Sequence, residues 1–250
     1  MRILFVNDDG IDAPGIRILA DAFCKGNDVY MAAPDSERSA FSHSLTVRGE
    51  LTCVRVRGRA YEALAVSGTP ADCVKFALLH WLKNEPPDIV ISGINNGPNL
   101  GSDIMYSGTV AAACEAAYLG VPSVAVSLSY WGADDAKYKE AAVFLRENLP
   151  RFSAAKIPQG TVLNINYPAH APYKGVKITK AGITLYSDRF TVVGDLSSFR
   201  LEGMPIAHDK NDSDCDVEWS KRGYATVTPI HLDRNDYATL QRLRTELKGE

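Results

Sequence analysis

The chain has 250 residues, 46% hydrophobic and 23% charged, with a net charge of −3. That length is enough for one large domain with a full core, and the slightly acidic balance argues against a protein that coats nucleic acid polymers. No run approaches the ~20 apolar residues that cross a bilayer, and "ILFV" meets Asp8 too soon to be a signal-peptide core, so the chain reads as cytoplasmic with no membrane partner.

In chain order, "RILFV" is a short continuous apolar run, as in a strand buried on both faces. "APGIRILADAFCKGN" follows as a helix, with Pro14 near its start and Gly26 near its end. "DVYMAAP" reads as the second strand. "LTVRGELTCVRVRG" and "AYEALAVSG" read as exposed strands of a hairpin arm. "TPADCVKFALLHWLKN" predicts a helix capped by Thr69 with Pro70 in its first turn. "PDIVISG", "PSVAVSL" and "TVLNINYP" read as further strands, separated by the helices "GTVAAACEAAYLG" and "DAKYKEAAVFLRENL". This alternation predicts a doubly wound α/β fold over residues 1–170. Residues 171–250 read as an extension rather than an independent domain. They hold weak strand signals in "GVKITKAGITLY" and "GYATVTPI", the polar stretch "HDKNDSDCDVEWSK", and a terminal amphipathic helix, "DYATLQRLRTELKGE", with Leu240, Leu243 and Leu247 on one face.

Ligands of open parallel sheets bind beyond the carboxyl ends of the strands. The loops leaving those ends are "NDDGIDAPG", "PDSERSAFSHS", "GINNGPNLGSDIMYSGT" and "NYP". Asp8 and Asp9 are adjacent; within a strand they would face opposite ways, but in a turn they can converge. The gathered side chains (Asp8, Asp9, Ser39, Ser42, His43, Asn95, Asn96, Ser107, Thr109) are rich in oxygen and contain no cysteine. Such a set suits Mg²⁺ or Mn²⁺ better than zinc, the two carboxylates carrying the charge. "SGT" at 107–109 opens a helix, where backbone N–H groups, two hydroxyls and the bare Gly108 form an anion site fit for a phosphate. His43, among hydroxyls, is a candidate phosphate contact or proton donor. His80, His170, His208 and His231 lack ligand spacing and read as structural. The five cysteines (Cys24, Cys53, Cys73, Cys114, Cys215) form no C-x-x-C pair and read as thiols of a reducing compartment. Neither G-x-G-x-x-G nor G-x-x-x-x-G-K-[ST] occurs, nor does a G-x-S-x-G elbow.

Taken together, "ILFVNDDG" with "APGI" behind it, "APDSERSAFSHSLT", "VSGTPADCV", "PDIVISGINNGPNLGSDIMYSGTVAAACEAAYLGVPSVAVS" and "LNINYP" closely resemble the SurE family, stationary-phase survival proteins that act as metal-dependent nucleotidases. The resemblance spans most of the chain and fades after "RGYATVTP". It implies one divalent metal ion per subunit, Mg²⁺ or Mn²⁺, held by Asp8, Asp9, Ser39 and Asn95. It selects Ser39 over Ser42, which the residues alone leave open. It also implies a Rossmann-like, mostly parallel sheet, an extended β-hairpin arm, and a C-terminal helix swapped between the subunits of a homodimer or homotetramer. The family pattern often has glycine where Ala40 stands.

The expected reaction is hydrolysis of nucleoside 5′- and 3′-monophosphates to nucleoside and phosphate, with short-chain polyphosphate as a further substrate. Asp8, Asp9, Asn96 and His43 are the candidate catalytic residues, and Asn96, Ser107, Gly108 and Thr109 the candidate phosphate contacts. Phe41 and Tyr106 are the aromatic side chains available to stack on a base. Two other readings compete. A phosphatase with Asp8 as covalent nucleophile would call for a D-x-D spacing that is absent. A nucleotide-sensing protein would bind at the same site without turnover.

Overall fold

The computed structural model describes residues 1–194, 197–208 and 213–247, of which 206–208 as backbone only. In chain order the elements of the core are β1 (Arg2–Val6), α1 (Pro14–Phe23), β2 (Asp28–Pro34), β3 (Cys53–Val56), β4 (Glu62–Val66), α2 (Pro70–Phe76), β5 (Ile89–Asn95), α3 (Gly108–Tyr118), β6 (Ser123–Leu128), α4 (Asp135–Ala154) and β7 (Thr161–Tyr167). There follow β8 (Val176–Ile178), β9 (Thr184–Tyr186), β10 (Arg189–Val192), β11 (Phe199–Glu202), β12 (Pro205–His208), α5 (Asp216–Lys221), β13 (Ala225–His231) and α6 (Tyr237–Glu246).

Among the described residues the main sheet has nine strands in the order β3-β4-β2-β1-β5-β6-β7-β13-β8. From β4 to β7 the neighbours are all parallel. Numbered by their own succession, these strands run 3-2-1-4-5-6, the order of doubly wound dinucleotide-binding sheets. Connections diverge between β1 and β5, so a crevice opens at the carboxyl ends of those two strands, where "NDDG" and "NNG" emerge.

Strand β1 explains how the layers form. Its alternate residues divide between two cores: Ile3 and Phe5 pack with Ile16 and Leu19 of α1 and Leu145 of α4. Leu4 and Val6 pack with Cys73 and Val74 of α2 and with Ala112 and Ala116 of α3. A strand buried on both faces must be apolar at every position, which is why "RILFV" shows no alternation. The small residues of α3 let that helix lie close against the sheet.

Several elements differ from expectation. "AYEALAVSG" is not an exposed arm strand: β4 pairs in parallel with β2 and buries Ala63, Leu64 and Val66 inside the main sheet. Polar Glu62 and the turn residues around it disguise this short run. The extended hairpin lies at 184–208, within the 171–250 extension, where β9 pairs with β12 and β10 with β11, all antiparallel. Its outer strands expose Phe190, Val192, Phe199 and Leu201. α2 begins as expected, with a Thr69–Asp72 capping box, but passes into a π-helical turn at Ala77–Trp81. α4 runs through Pro150 to Ala154, past the expected end at Leu149; close to the exposed C-terminal end, one missing N–H is tolerated.

The extension returns two strands to the sheet: β13 lies antiparallel to β7, and β8 parallel to β13. α6 has no buried residue, and Leu240, Leu243 and Leu247 are exposed. The last three positions expected in that helix, 248–250, lie outside the described residues, as do the middle of the polar stretch, 209–212, and the His208 side chain. All five cysteines are free thiols. Among the described residues no helix is long and apolar enough to cross a membrane.

Candidate active site

The "NDDG" turn is built by its first and last members. The buried Asn7 amide donates to the Gly10 carbonyl at 2.9 Å, and Gly10 takes a φ of +101°, a conformation that L side chains rarely adopt. The turn lifts both carboxylates off the strand and toward the two segments that leave β5. Asp8 Oδ1 accepts a 2.5 Å hydrogen bond from Thr109 Oγ1. Asp9 Oδ2 accepts from the Asn96 backbone N–H at 3.1 Å. Gly108 makes the first contact possible, since a Cβ there would stand 2.9 Å from Asp8 Cβ and 3.0 Å from its Oδ2. The Asp8 carboxylate therefore caps the positive end of α3, and Thr109, read from sequence as a phosphate contact, spends its hydroxyl on Asp8. Ser107 accepts from the Val110 N–H at 3.1 Å, an N-cap bond.

Electrostatics make this pair costly as it stands. Burial pushes the Asp8 carboxyl above its ordinary range, against the opposing pull of Thr109. Burial, and then the charge of Asp8, push Asp9 up to about 7. Glu37 adds further negative charge beside both. Among the described residues neither aspartate has a lysine or arginine ion pair. Adjacent carboxylates without an ion pair, one buried and one half-buried, are what a hard divalent cation relieves. No cluster of three His, Cys, Asp or Glu side chains arranged for a metal occurs among the described residues, so a cation at Asp8 and Asp9 would be completed by neutral oxygens. The neighbourhood supplies them. Asn95 is buried, with its amide nitrogen tied to the Gly97 carbonyl at 2.9 Å, which leaves its oxygen as the ligating end. Ser39 stands one residue beyond Arg38, whose N–H donates to the Asp8 carbonyl at 2.7 Å. Its hydroxyl is turned to Glu37 at 2.8 Å.

The loop carrying Ser39 is held in place from several sides. Ser42 donates its N–H to the Tyr106 carbonyl at 3.1 Å and its hydroxyl to the Met105 carbonyl at 2.7 Å. It is therefore a tether, not a ligand. His43 Nε2 lies 2.8 Å from Glu115 Oε2, whose other oxygen pairs with Lys75 at 2.7 Å. Glu115 lies seven residues beyond Gly108, about 10 Å along the helix, and this commits one ring nitrogen of His43 to the helix flank. The bend in the loop needs left-handed backbone at Ala40 (φ 60°) and Ser42 (φ 52°). Ala40→Gly is expected to raise Tm by about 1–3 °C, because relief of the left-handed cost, about 1–2 kcal/mol, exceeds the glycine's added chain entropy. Thermal melts of the two proteins check this, and a lower Tm for the variant would refute it.

The β5 loop contains the predicted Asn96 and one residue that sequence reading passed over, Asn99. Asn96 is fixed by accepting the Gly132 N–H at 2.9 Å through its side-chain oxygen, so its amide N–H groups are the polar end left for a phosphate. Asn99 is buried and anchored to the end of the sheet: its N–H goes to Asn166 Oδ1 (2.9 Å), its amide to Ser127 Oγ (2.7 Å), and its carbonyl receives Asn164 and Asn166. "NIN" in "TVLNINYP" thus serves as a support for this loop. The signal was present in sequence, as two polar residues on one face of a strand otherwise apolar. Of the other histidines, His80 packs on the Phe76 ring, His170 lies against Ser129 and Tyr130, and His231 accepts the Asp233 N–H.

Comparison with known proteins points to one family. The family model "Survival protein SurE" matches residues 3–188. A curated relative from Pelotomaculum thermopropionicum, "5′-nucleotidase SurE", is 42% identical over 256 residues, covering 99% of this chain and 96% of its own. Another of the same name from Alkaliphilus metalliredigens is 41% identical, covering 98% of both chains. The crystal structure of the SurE protein from Aquifex aeolicus superposes with a TM-score of 0.82 at 34% identity, covering 98% of this chain and 99% of its own. With the family model matching residues 3–188 and relatives and fold in agreement over nearly its whole length, this chain belongs to the SurE family.

Proposed function

We propose that the protein is a divalent-metal-dependent phosphomonoesterase that hydrolyses nucleoside 5′-monophosphates, and 3′-monophosphates as well, to nucleoside and phosphate. Relatives that cover the chain end to end carry the name 5′-nucleotidase. The observation that carries the metal requirement is the pair of adjacent carboxylates, buried Asp8 at the N-terminus of α3 and half-buried Asp9 beside it, with no ion pair to a lysine or arginine among the described residues. Asp8, Asp9, Ser39 and Asn95 would hold one Mg²⁺ or Mn²⁺, and Ser39 would exchange Glu37 for the cation. Bound there, the cation supplies Lewis-acid polarisation and charge neutralisation at a phosphoryl group. The chain's own part is positioning. Backbone N–H groups of the α3 N-terminus, with Gly108 leaving room for close approach, and the Asn96 amide receive the phosphoryl oxygens and their developing charge. Thr109 keeps Asp8 oriented. His43, held by Glu115 through Nε2, is the candidate proton donor. Phe41 and Tyr106, both exposed at the rim, offer faces for a base and little to distinguish one base from another. Short-chain polyphosphate fits the same anion site.

The exposed leucines of α6 and the apolar strands of the hairpin arm support assembly into a homodimer or homotetramer through these two elements, with α6 exchanged between subunits. The extension at 171–250 then serves assembly while the core at 1–170 carries the chemistry. The protein acts in the cytoplasm, where nucleotides and reduced thiols are found.

The test is phosphate release from a panel of nucleoside 5′- and 3′-monophosphates with Mg²⁺, with Mn²⁺ and with a chelator. Release that requires the cation and stops with the chelator is the expected result. No release by folded protein that binds metal and nucleotide would instead make it a nucleotide sensor.

A further inference from the structure

The phosphate cradle has one support that comes from outside the core. Asp216, the first residue of α5, is completely buried. Its carboxylate joins chain segments far apart in sequence. Oδ2 accepts the Gly101 N–H at 2.9 Å; Oδ1 accepts the Gly182 N–H at 2.9 Å and the Val217 N–H at 2.8 Å. Gly101 opens a 3₁₀ turn, Gly101–Tyr106, that ends on Ser107, the N-cap of α3. The same turn is gripped along its length. Ser102 Oγ accepts the Thr184 N–H at 3.1 Å, and the Tyr186 hydroxyl donates to the Asp103 carboxylate at 2.7 and 2.8 Å. Its last two carbonyls receive Ser42 from the Ser39 loop. Even the backbone approach is close, since a Cβ on Gly101 would stand 2.9 Å from the Gly182 carbonyl oxygen.

Burying a carboxylate is costly unless its oxygens are filled, and here backbone donors fill them. The isosteric amide could not replace it. Asparagine offers one oxygen, and its NH₂ would face an N–H donor on whichever side it turned. An acid is therefore required by a junction whose Gly101 arm leads straight to the cradle.

We propose that Asp216 is a positioning residue for the phosphate site. From the C-terminal extension it fixes the 101–106 turn, and through that turn it sets the N-terminus of α3 at the distance phosphate binding needs; Tyr186, through Asp103, assists at the middle of the turn. The assignment rests on the phosphomonoesterase reading above for the identity of the ligand. It gives the extension a part in the site beyond assembly.

The test compares wild type, Asp216→Asn and Tyr186→Phe, each loaded with Mn²⁺, by calorimetric binding of inorganic phosphate, with Mn²⁺ affinity and Tm measured on the same samples. Asp216→Asn is expected to weaken phosphate binding about 10-fold, the scale of one unsatisfied buried donor. Tyr186→Phe, a neutral loss at a partly exposed pair, is expected to weaken it about 2–3-fold. Mn²⁺ affinity stays within about two-fold, because Asp8 and Asp9 stand in the NDDG turn that follows β1 and not on the 101–106 turn. Unchanged phosphate binding in folded Asp216→Asn overturns the proposal. So does a parallel loss of phosphate and Mn²⁺ binding with a fall in Tm, which is the mark of a structural role only. If Asp216→Asn does not fold, Tyr186→Phe decides alone: selective weakening supports the proposal and none overturns it. Wild type that binds phosphate but hydrolyses no nucleotide would refute the phosphomonoesterase reading and leave the binding comparison intact.

Discussion

Asp9→Asn is expected to lower phosphate release at least about 1,000-fold, some 4 kcal/mol of transition-state stabilisation, and to weaken Mn²⁺ binding in step. Asp9 supplies half of the formal charge at the site and is oriented by the Asn96 N–H at 3.1 Å. The amide is the same size, so the fold is kept. A second, opposite effect separates this account from simple damage. The Asp9 carboxyl is raised from 3.8 to about 7, chiefly by burial and then by Asp8. A carboxylate whose folded pKa lies above its unfolded value withdraws stability as pH rises through that window, and the cost is full above about 7. The metal-free variant, with no charge to bury, is therefore expected to melt higher than metal-free wild type at pH 8. The gap closes as pH falls below 4. Adding Mn²⁺ reverses the order, because only wild type gains substantially from the cation by mass action. Melting curves at two pH values, with and without Mn²⁺, check all of this. A metal-free variant that melts lower at pH 8, or one that retains turnover, would refute the assignment of Asp9.

Gly15→Ala is expected to be strongly destabilising. Gly15 sits in the first turn of α1, where a Cβ would stand 2.0 Å from the Ile94 carbonyl oxygen and 3.0 Å from Tyr138 Cε1. The first obstacle is backbone and cannot rotate away, so α1 or the end of β5 must move. Overpacking of this kind costs about 3 kcal/mol or more, a Tm fall of roughly 6–12 °C for a domain of this size. Asn95 follows Ile94 directly, so the displaced strand end should also weaken metal binding. Arg17→Ala, on the exposed side of the same helix, is the control and should stay within about 0.5 kcal/mol. A Gly15→Ala protein as stable as the control would mean that α1 does not pack this closely.

How far the sequence could be read depended on the range of the interaction. "RILFV", "PDIVISG" and "PSVAVSL" are strands because a run apolar at every position can only be buried on two faces, and Thr69 with Pro70 marks a helix start by local capping. The convergence of Asp8 and Asp9 was legible for the same reason: a turn must follow a buried strand, and the crossing rule of parallel sheets puts such turns together. Ser39 and Asn95 were among the neutral oxygens that the crevice loops offer, only the choice of Ser39 over Ser42 came from family resemblance, and their part in a metal site remains a proposal. What could not be read depended on partners distant along the chain. "EALAV" looked exposed until β2 was beside it, and nothing in the strand "TVLNINY" showed that Asn164 and Asn166 reach the Asn99 backbone. Thr109 looked free for phosphate until Asp8 claimed its hydroxyl. Asp216 carried no signal at all, since its three donors are backbone N–H groups that every residue but proline possesses. Composition, periodicity and capping fix the elements through short-range physics. Which buried polar group meets which donor is settled only when segments a hundred residues apart are packed together, because the cost of an unpaired polar group appears only once water has been excluded.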